Sequence, residues 1–322
     1  MWATLALIVA GCRGQTQPAG FRVGLVTPGS IADAAWNSGA YRGLELVRDS
    51  LRVEVSHVEA RTPAEQEEAL RTYAAQGFDL VFAHGFEFQA PAERVSALYP
   101  KTVFIVTSGE RVHGNVAPLI FRLYEATYLA GMVAGGMTRT GTIGFVGGVE
   151  IPPVKLAVDG WNNGARAVNP RVKTQVTYLN NWDDVGAGYE AANALIRVGA
   201  DMLHHNADQA ALGLFRAAQE HSDVRVFGAN ADQSALAPDR VLGSAIIDLP
   251  RAILMVTEDV KSGRFTPRVE SFGLASGVVR YVANPALEGS VPLELAARVR
   301  AAADSIAAGT LVPVAAPARA SR

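Results

Sequence analysis

From Phe21 onward the chain alternates short, almost wholly apolar runs with longer amphipathic ones. FRVGLVT (21–27) reads as a buried strand, followed by a helical stretch over 35–50 and a strand in LRVEVSHV (51–58). PAEQEEALRTYAAQG (63–77) carries Pro63 where a helix starts and Gly77 where it stops. FDLVFAHG (78–85) and TVFIVT (102–107) are strands flanking a helix over 90–99. A second series opens with the helix YEATYLAGMVAGGMTRT (124–140) and continues with the strand GTIGFVGG (141–148). It runs on through a helix near 153–168, the strand VKTQVTYL (172–179) and a helix over 185–198. The strand ADMLHH (200–205), a helix over 209–221 and the strand VRVFGA (224–229) complete it. Strands separated by helices at this spacing imply βαβ units and parallel sheets. Two successive series of similar size predict an α/β protein of two doubly wound lobes.

Open parallel sheets bind ligands beyond the carboxyl ends of their strands. The residues at those places are aromatic, amide and acidic, with little positive charge. Trp36 lies at the first strand-to-helix junction, in SIADAAWNSGAYRGL (30–44). Alone it reads equally well as a core or staple aromatic. Trp182, at the equivalent point of the second series, favours two indoles that sandwich a planar ligand, with Phe86 able to serve in the same way. Asp33, Asn37, Glu87, Asp183, His205, Asp208, Asn230 and Asp232 are the candidate edge partners. This set suits a neutral, flat ligand with several N–H donors and suits a phosphate poorly.

Composition narrows the classes. A chain of 322 residues is long enough for two domains. The net charge of −2 and the lack of any Lys/Arg cluster leave no source for phosphate-backbone binding, so no nucleic-acid partner is expected. No apolar run reaches the ~18 residues of a spanning helix. The single cysteine, Cys12, excludes an internal disulfide and any CxxC motif. It follows Ala10 and Gly11 at the end of MWATLALIVAGC, which resembles a bacterial lipobox. Residues 1–20 then read as a lipoprotein signal and a polar tether, with Cys12 acylated. The other reading is a short buried start with an incidental cysteine. The Ala/Pro-rich stretch 312–322 reads as disordered.

Enzymatic readings find little support. His204, His205 and Asp208 have metal-ligand chemistry, but adjacent strand residues point to opposite faces. No GxSxG elbow, no G-x-G-x-x-G after the first strand and no Walker A lysine is present. Asp183 and Asp184 read as partners of a helix N-terminus rather than an acid/base pair. No catalytic residue, metal or cofactor is expected.

Five segments, in order and spanning most of the chain, carry a family resemblance. They are SIADAAWNSGAYRGL, VAPLIFRLYEATYLAGMVAG (116–135), DGWNNGARAVNP (159–170), GADMLHHNADQAALG (199–213) and GANADQSALAPDRVLGSAI (228–246). Together they resemble the basic membrane protein family of bacterial substrate-binding lipoproteins, which includes purine nucleoside receptors. The resemblance implies a type I periplasmic-binding fold with three crossovers between lobes. It places 21–123 plus 248–277 in the first lobe and 124–247 plus 278–311 in the second. It also implies a monomer, membrane-tethered by lipid, that delivers purine-like ligands to ABC permease and ATPase subunits. Trp36 matches the family's stacking aromatic, and Trp161 in DGWNNG matches a second aromatic place. The acidic residue and lysine that the family's nucleoside receptors are implied to use for ribose fall here at Pro28 and Ile247. NADQAALG is closer to a branch with His and Asp in that loop, suited to purine bases. A base is therefore expected to be favoured over a nucleoside. The alternative is a ligand-sensing lipoprotein or a nucleoside-processing enzyme on the same fold.

Overall fold

The structure, a computed structural model, describes residues 20–33 and 35–314. Cys12, most of the proposed tether and residues 315–322 lie outside the described residues. The first series forms β1 (Arg22–Thr27), α1 (Trp36–Leu51), β2 (Glu54–Glu59), α2 (Pro63–Ala75), β3 (Leu80–His84), α3 (Gln89–Ser96), β4 (Val103–Thr107) and β5 (Val116–Phe121). The second forms α4 (Leu123–Met137), β6 (Thr142–Gly147), α5 (Pro152–Val168), β7 (Lys173–Tyr178), α6 (Val185–Arg197), β8 (Met202–Asn206), α7 (Ala211–Glu220), β9 (Arg225–Asn230) and β10 (Val241–Ile247). The chain ends in α8 (Leu249–Lys261), β11 (Glu270–Phe272), β12 (Val279–Ala283) and α9 (Leu293–Ala307). Local chemistry explains the boundaries. Thr62 and Glu65 close a capping box on α2, with Pro63 in its first turn. Asp184 caps α6 by accepting from the Ala187 N–H at 2.9 Å.

Two six-stranded sheets result, ordered β11-β5-β4-β3-β1-β2 and β12-β10-β9-β8-β6-β7. All pairings are parallel except β10 with β12. Each sheet is covered on both faces, which is why its central strands are continuous apolar runs. In the first sheet Leu25, Phe82 and Leu119 pack with α1 and α8, while Val26, Phe104 and Val106 pack with α2 and α3. In the second, Phe145 and Phe227 pack under α4, α5 and α9, and Val146 and Leu203 under α6 and α7. Helices α4 and α5 touch backbone to backbone. A Cβ on Gly131 would collide with the Trp161 carbonyl, and one on Gly164 with the Tyr128 carbonyl.

The chain passes between sheets after β5, after β10 and between β11 and β12. These crossovers are bonded to one another. The Arg122 N–H donates to the Phe272 carbonyl at 2.8 Å, and the Asp248 N–H to the Val278 carbonyl at 2.7 Å. Glu125, 6% exposed, accepts from the Leu274 N–H at 2.6 Å and pairs with the Arg122 guanidinium at 2.9 Å. Burial pushes the Glu125 carboxyl up, against the opposing effects of the Leu274 N–H and Arg122.

Candidate functional site

The carboxyl ends of both sheets face one cavity of about 840 Å³ of empty space, its open mouth included. Each strand end expected to carry ligand chemistry contributes to it, that of β9 through its last residue, Asn230. Pro28, Gly29 and Asp33 follow β1, and Gly85, Phe86 and Glu87 follow β3. Ser108 follows β4, Trp182 and Asp183 follow β7, and Asp208 follows β8. Among the described residues, five that are not glycine have positive φ: Arg52, Ser108, Asn180, Asp208 and Asn230. The last four sit at or just beyond strand carboxyl ends, and Ser108, Asp208 and Asn230 line the cavity. Backbone strain of about 1–3 kcal/mol per residue persists where surrounding structure enforces it, often at binding sites.

Trp36 opens α1 and is half-buried. One indole face lies on the His84 ring, at 4.1 Å between centroids and 25° between planes, and its edge meets Phe121 at 6.2 Å. His84 is fully enclosed, hydrogen-bonded through Nδ1 to the Thr107 hydroxyl at 3.0 Å and through Nε2 to the Trp36 carbonyl at 3.2 Å. Burial pulls its pKa down to about 3, so the ring beneath the indole is neutral. The start of the helix is fixed by Asp33. Its carboxylate accepts from the N–H groups of Ala35 (3.3 Å), Asn37 (2.6 Å) and Ser38 (2.8 Å). Asp33 lines the cavity, but much of its accepting capacity is spent on α1. Asn37 is 6% exposed, lines the cavity, and its Oδ1 has no hydrogen-bond partner among the described residues.

The opposite wall belongs to the second lobe. Trp182 is half-buried against the backbone of Gly148, where any Cβ would strike its ring. Its carbonyl accepts from the Ala210 N–H at 2.8 Å, tying the loop after β7 to the turn after β8. Asn230 donates to Asp208 at 3.4 Å. The Asp208 carboxyl is pushed well above the usual range, first by burial and then by the negative charges of Asp33, Glu87 and Asp183. Glu87 presents accessible surface to the cleft, yet the surrounding walls desolvate its carboxyl and raise its pKa, with its own backbone N–H opposing. Asp183 faces Arg61 of the first lobe at 3.7 Å across the cleft mouth.

Three expected site residues lie elsewhere. Trp161 is fully buried in the second lobe's core, tilted on His204 at 5.1 Å and edge-on to Phe227 at 5.3 Å. Only the amino end of α5 reaches the cavity, through Pro153 and Val154, and Trp161 comes two turns later. His205 is also enclosed. Its Nε2 lies 2.9 Å from the Gln233 Oε1, its ring meets the edge of Phe215 at 5.4 Å, and burial lowers its pKa to about 4. Asp232 turns outward and accepts from the Ser234 N–H at 3.0 Å and hydroxyl at 2.7 Å. The cavity instead includes Ser108, Asn206 and Phe121, which the same strand-end logic can find.

Comparison with known proteins agrees with this architecture. Residues 21–298 match the Bmp family, described as "ABC transporter substrate-binding protein PnrA-like". Basic membrane protein A2 of Borrelia garinii subsp. bavariensis is 30% identical over 281 residues, covering 85% of this chain and 82% of that one. A purine-binding protein of Brucella abortus is 26% identical over 262 residues, covering 80% and 74%. An ABC transporter solute-binding protein of Aeropyrum pernix superposes with a TM-score of 0.83 at 22% identity, covering 90% of this chain and 92% of that one, and so shares the fold. The fold is that of the type I periplasmic-binding proteins.

Proposed function

We propose a cargo for this chain, which belongs to the Bmp family of PnrA-like ABC transporter substrate-binding proteins: a purine-like heterocycle held in the cleft between the lobes. Substrate-binding proteins of ABC transporters work outside the cytoplasm, capture a small molecule and present it to permease and ATPase subunits. The observation that carries the ligand class is the pairing of Trp36 and Trp182, from opposite lobes, on one cavity beside the unpartnered Oδ1 of Asn37. Two indoles match a flat ring on both faces, and a buried carbonyl oxygen matches a ring N–H. The purine-binding relative in Brucella abortus supports the same reading.

A free base is favoured over its nucleoside. Pro28 and Ile247 line the cavity, and neither side chain can hydrogen-bond a ribose hydroxyl. Enclosing a sugar against them would leave hydroxyls unpaired, at about 1–3 kcal/mol each. Carboxylates beside indoles also suit polyhydroxylated rings, so the deciding assay sets both against each other. Calorimetric titration with adenine, hypoxanthine, adenosine, inosine and glucose is expected to give tightest binding by a base. A nucleoside that binds more tightly than its base overturns the sugar argument, and glucose as the tightest ligand overturns the purine reading. We further propose acylation of Cys12, which would tether the protein to the membrane face on which it works.

A further inference from the structure

The cleft carries more charge than a neutral ring needs. Among the described residues that line it, every charged side chain is acidic: Asp33, Glu87, Asp183 and Asp208. They come from both lobes and line one cavity. Asp33 is partly compensated by three backbone N–H groups, and Asp183 by Arg61 at the mouth, both of that pair being more than half exposed. Among the described residues Glu87 and Asp208 have no basic partner, and Asp208 accepts from the Asn230 amide at 3.4 Å. Desolvation pushes both carboxyls up, and at Asp208 the negative charges of Asp33, Glu87 and Asp183 add to it.

Two independent features point to what would relieve that cost. The Oδ1 of Asn37 is buried on the cavity wall and finds no donor among the described residues. The side walls are indoles, whose faces attract cations more strongly than those of any other side chain.

We propose that this cleft selects a flat heteroaromatic cation bearing N–H donors, a protonated amino-substituted bicycle, over neutral or anionic oxo-heterocycles of the same outline. The proposal rests on the reading of this cavity as the ligand site, and it narrows the purine-like class to its amino-substituted, positively charged members. It also revises the neutral ligand expected from the sequence. The cation's charge faces Glu87 and Asp208, its N–H meets Asn37, and its ring faces lie against Trp36 and Trp182. An oxo-group at the same edge would set a carbonyl oxygen against carboxylates.

A matched pair isolates the charge from the shape. 4-Aminoquinoline is a planar bicycle that is protonated near neutral pH and carries ring and exocyclic N–H donors. 4-Quinolone has the same outline and is neutral. Titration of the full chain with each, beside adenine and xanthine, is expected to show the cation binding about ten-fold or more tightly than its neutral partner. Adenine is expected to exceed xanthine, and added salt to weaken the cation selectively. Glu87→Gln and Asp208→Asn are each expected to erase most of the cation's advantage over 4-quinolone, with a melting temperature no lower than the parent's because each removes an uncompensated carboxylate. Equal affinities within the pair, tighter xanthine binding, or no binding of the cation at millimolar concentration overturns the proposal. Purine bases that bind with no preference for charge leave the purine reading intact and this one refuted. A bound aminoquinoline cation with no purine bound does the reverse.

Discussion

Replacing Trp36 with alanine separates a ligand-stacking indole from a structural one. In the structure one face of the ring is already occupied by His84 at 4.1 Å, and the residue lines the cavity. An indole presents about 150–250 Å² in all, so one face amounts to roughly a third of that, ~70 Å². Covering that face with a ligand contributes about 1.8 kcal/mol at ~25 cal/mol per Å². Stacking geometry adds about 0.5–1.5 kcal/mol. Trp36→Ala is therefore expected to weaken ligand binding by about 2–3 kcal/mol, roughly 30- to 150-fold in Kd. Because the ring is half-buried, the stability cost should be well below the ~3–5 kcal/mol of a core tryptophan. Trp161 supplies the internal control, being fully enclosed between His204 and Phe227. Trp161→Ala should cost about 3–5 kcal/mol of stability and leave the Kd of the folded protein within a few-fold of its starting value. Calorimetric titration and chemical denaturation of the two variants give four numbers. An unchanged Kd and a collapsed melting transition for Trp36→Ala would make Trp36 a core residue and refute the stacking argument.

Acid should destabilise the protein from pH 6.5 downward. His84 and His204 have pKa values lowered by burial to about 3 and His205 to about 4, whereas the unfolded chain titrates histidine near 6.5. Below that value the unfolded state binds more protons, so the stability these neutral rings contribute is complete above 6.5 and is lost as pH falls. The slope is up to about 1.4 kcal/mol per pH unit per histidine; urea denaturation that is flat from about pH 7 to 5 would contradict it. Ligand should close the lobes about the bonded crossovers at Arg122, Asp248 and Leu274, lowering the radius of gyration in solution scattering. An unchanged radius with ligand saturating the cleft would refute closure. Cys12→Ser is expected to move the protein from the membrane to the soluble fraction, and unchanged membrane association would rule out acylation there.

Much of the fold is legible in the sequence because the central strands are covered on both faces and therefore read as unbroken apolar runs. Elements outside the predicted alternation lack that signal for identifiable reasons. β5 contains Pro118, which argues against a strand, although here it pairs with Val106 inside the sheet. β11 is three residues long, and β12 is a half-exposed edge strand, so neither forms an apolar run. Helices α8 and α9 are amphipathic, but they follow the last strand of the alternating series and so fall beyond the repeat that reveals the others.

At the site, what could be read was the loop, and what could not was the direction of each side chain. Trp161 is flanked by Gly160 and Gly164, and that spacing of small residues marks a close helix–helix contact; here Gly164 sits against the Tyr128 carbonyl. The glycines therefore pointed toward the core, while the aromatic between them suggested the cleft. The histidines make the same point along a strand. His84 is the last residue of β3, and it lies behind the indole of Trp36 rather than in the cavity. His205 is the penultimate residue of β8 and remains inside the lobe, bonded to Gln233. Cavity residues begin at or after the final paired position, at Asn206 and Asp208 after His205, and at Phe86 and Glu87 after His84. Until a parallel strand leaves its sheet, its side chains are claimed by the two helical layers. A polar residue one position too early is therefore buried scaffold, and the first residues past the ladder are the ones free to meet a ligand.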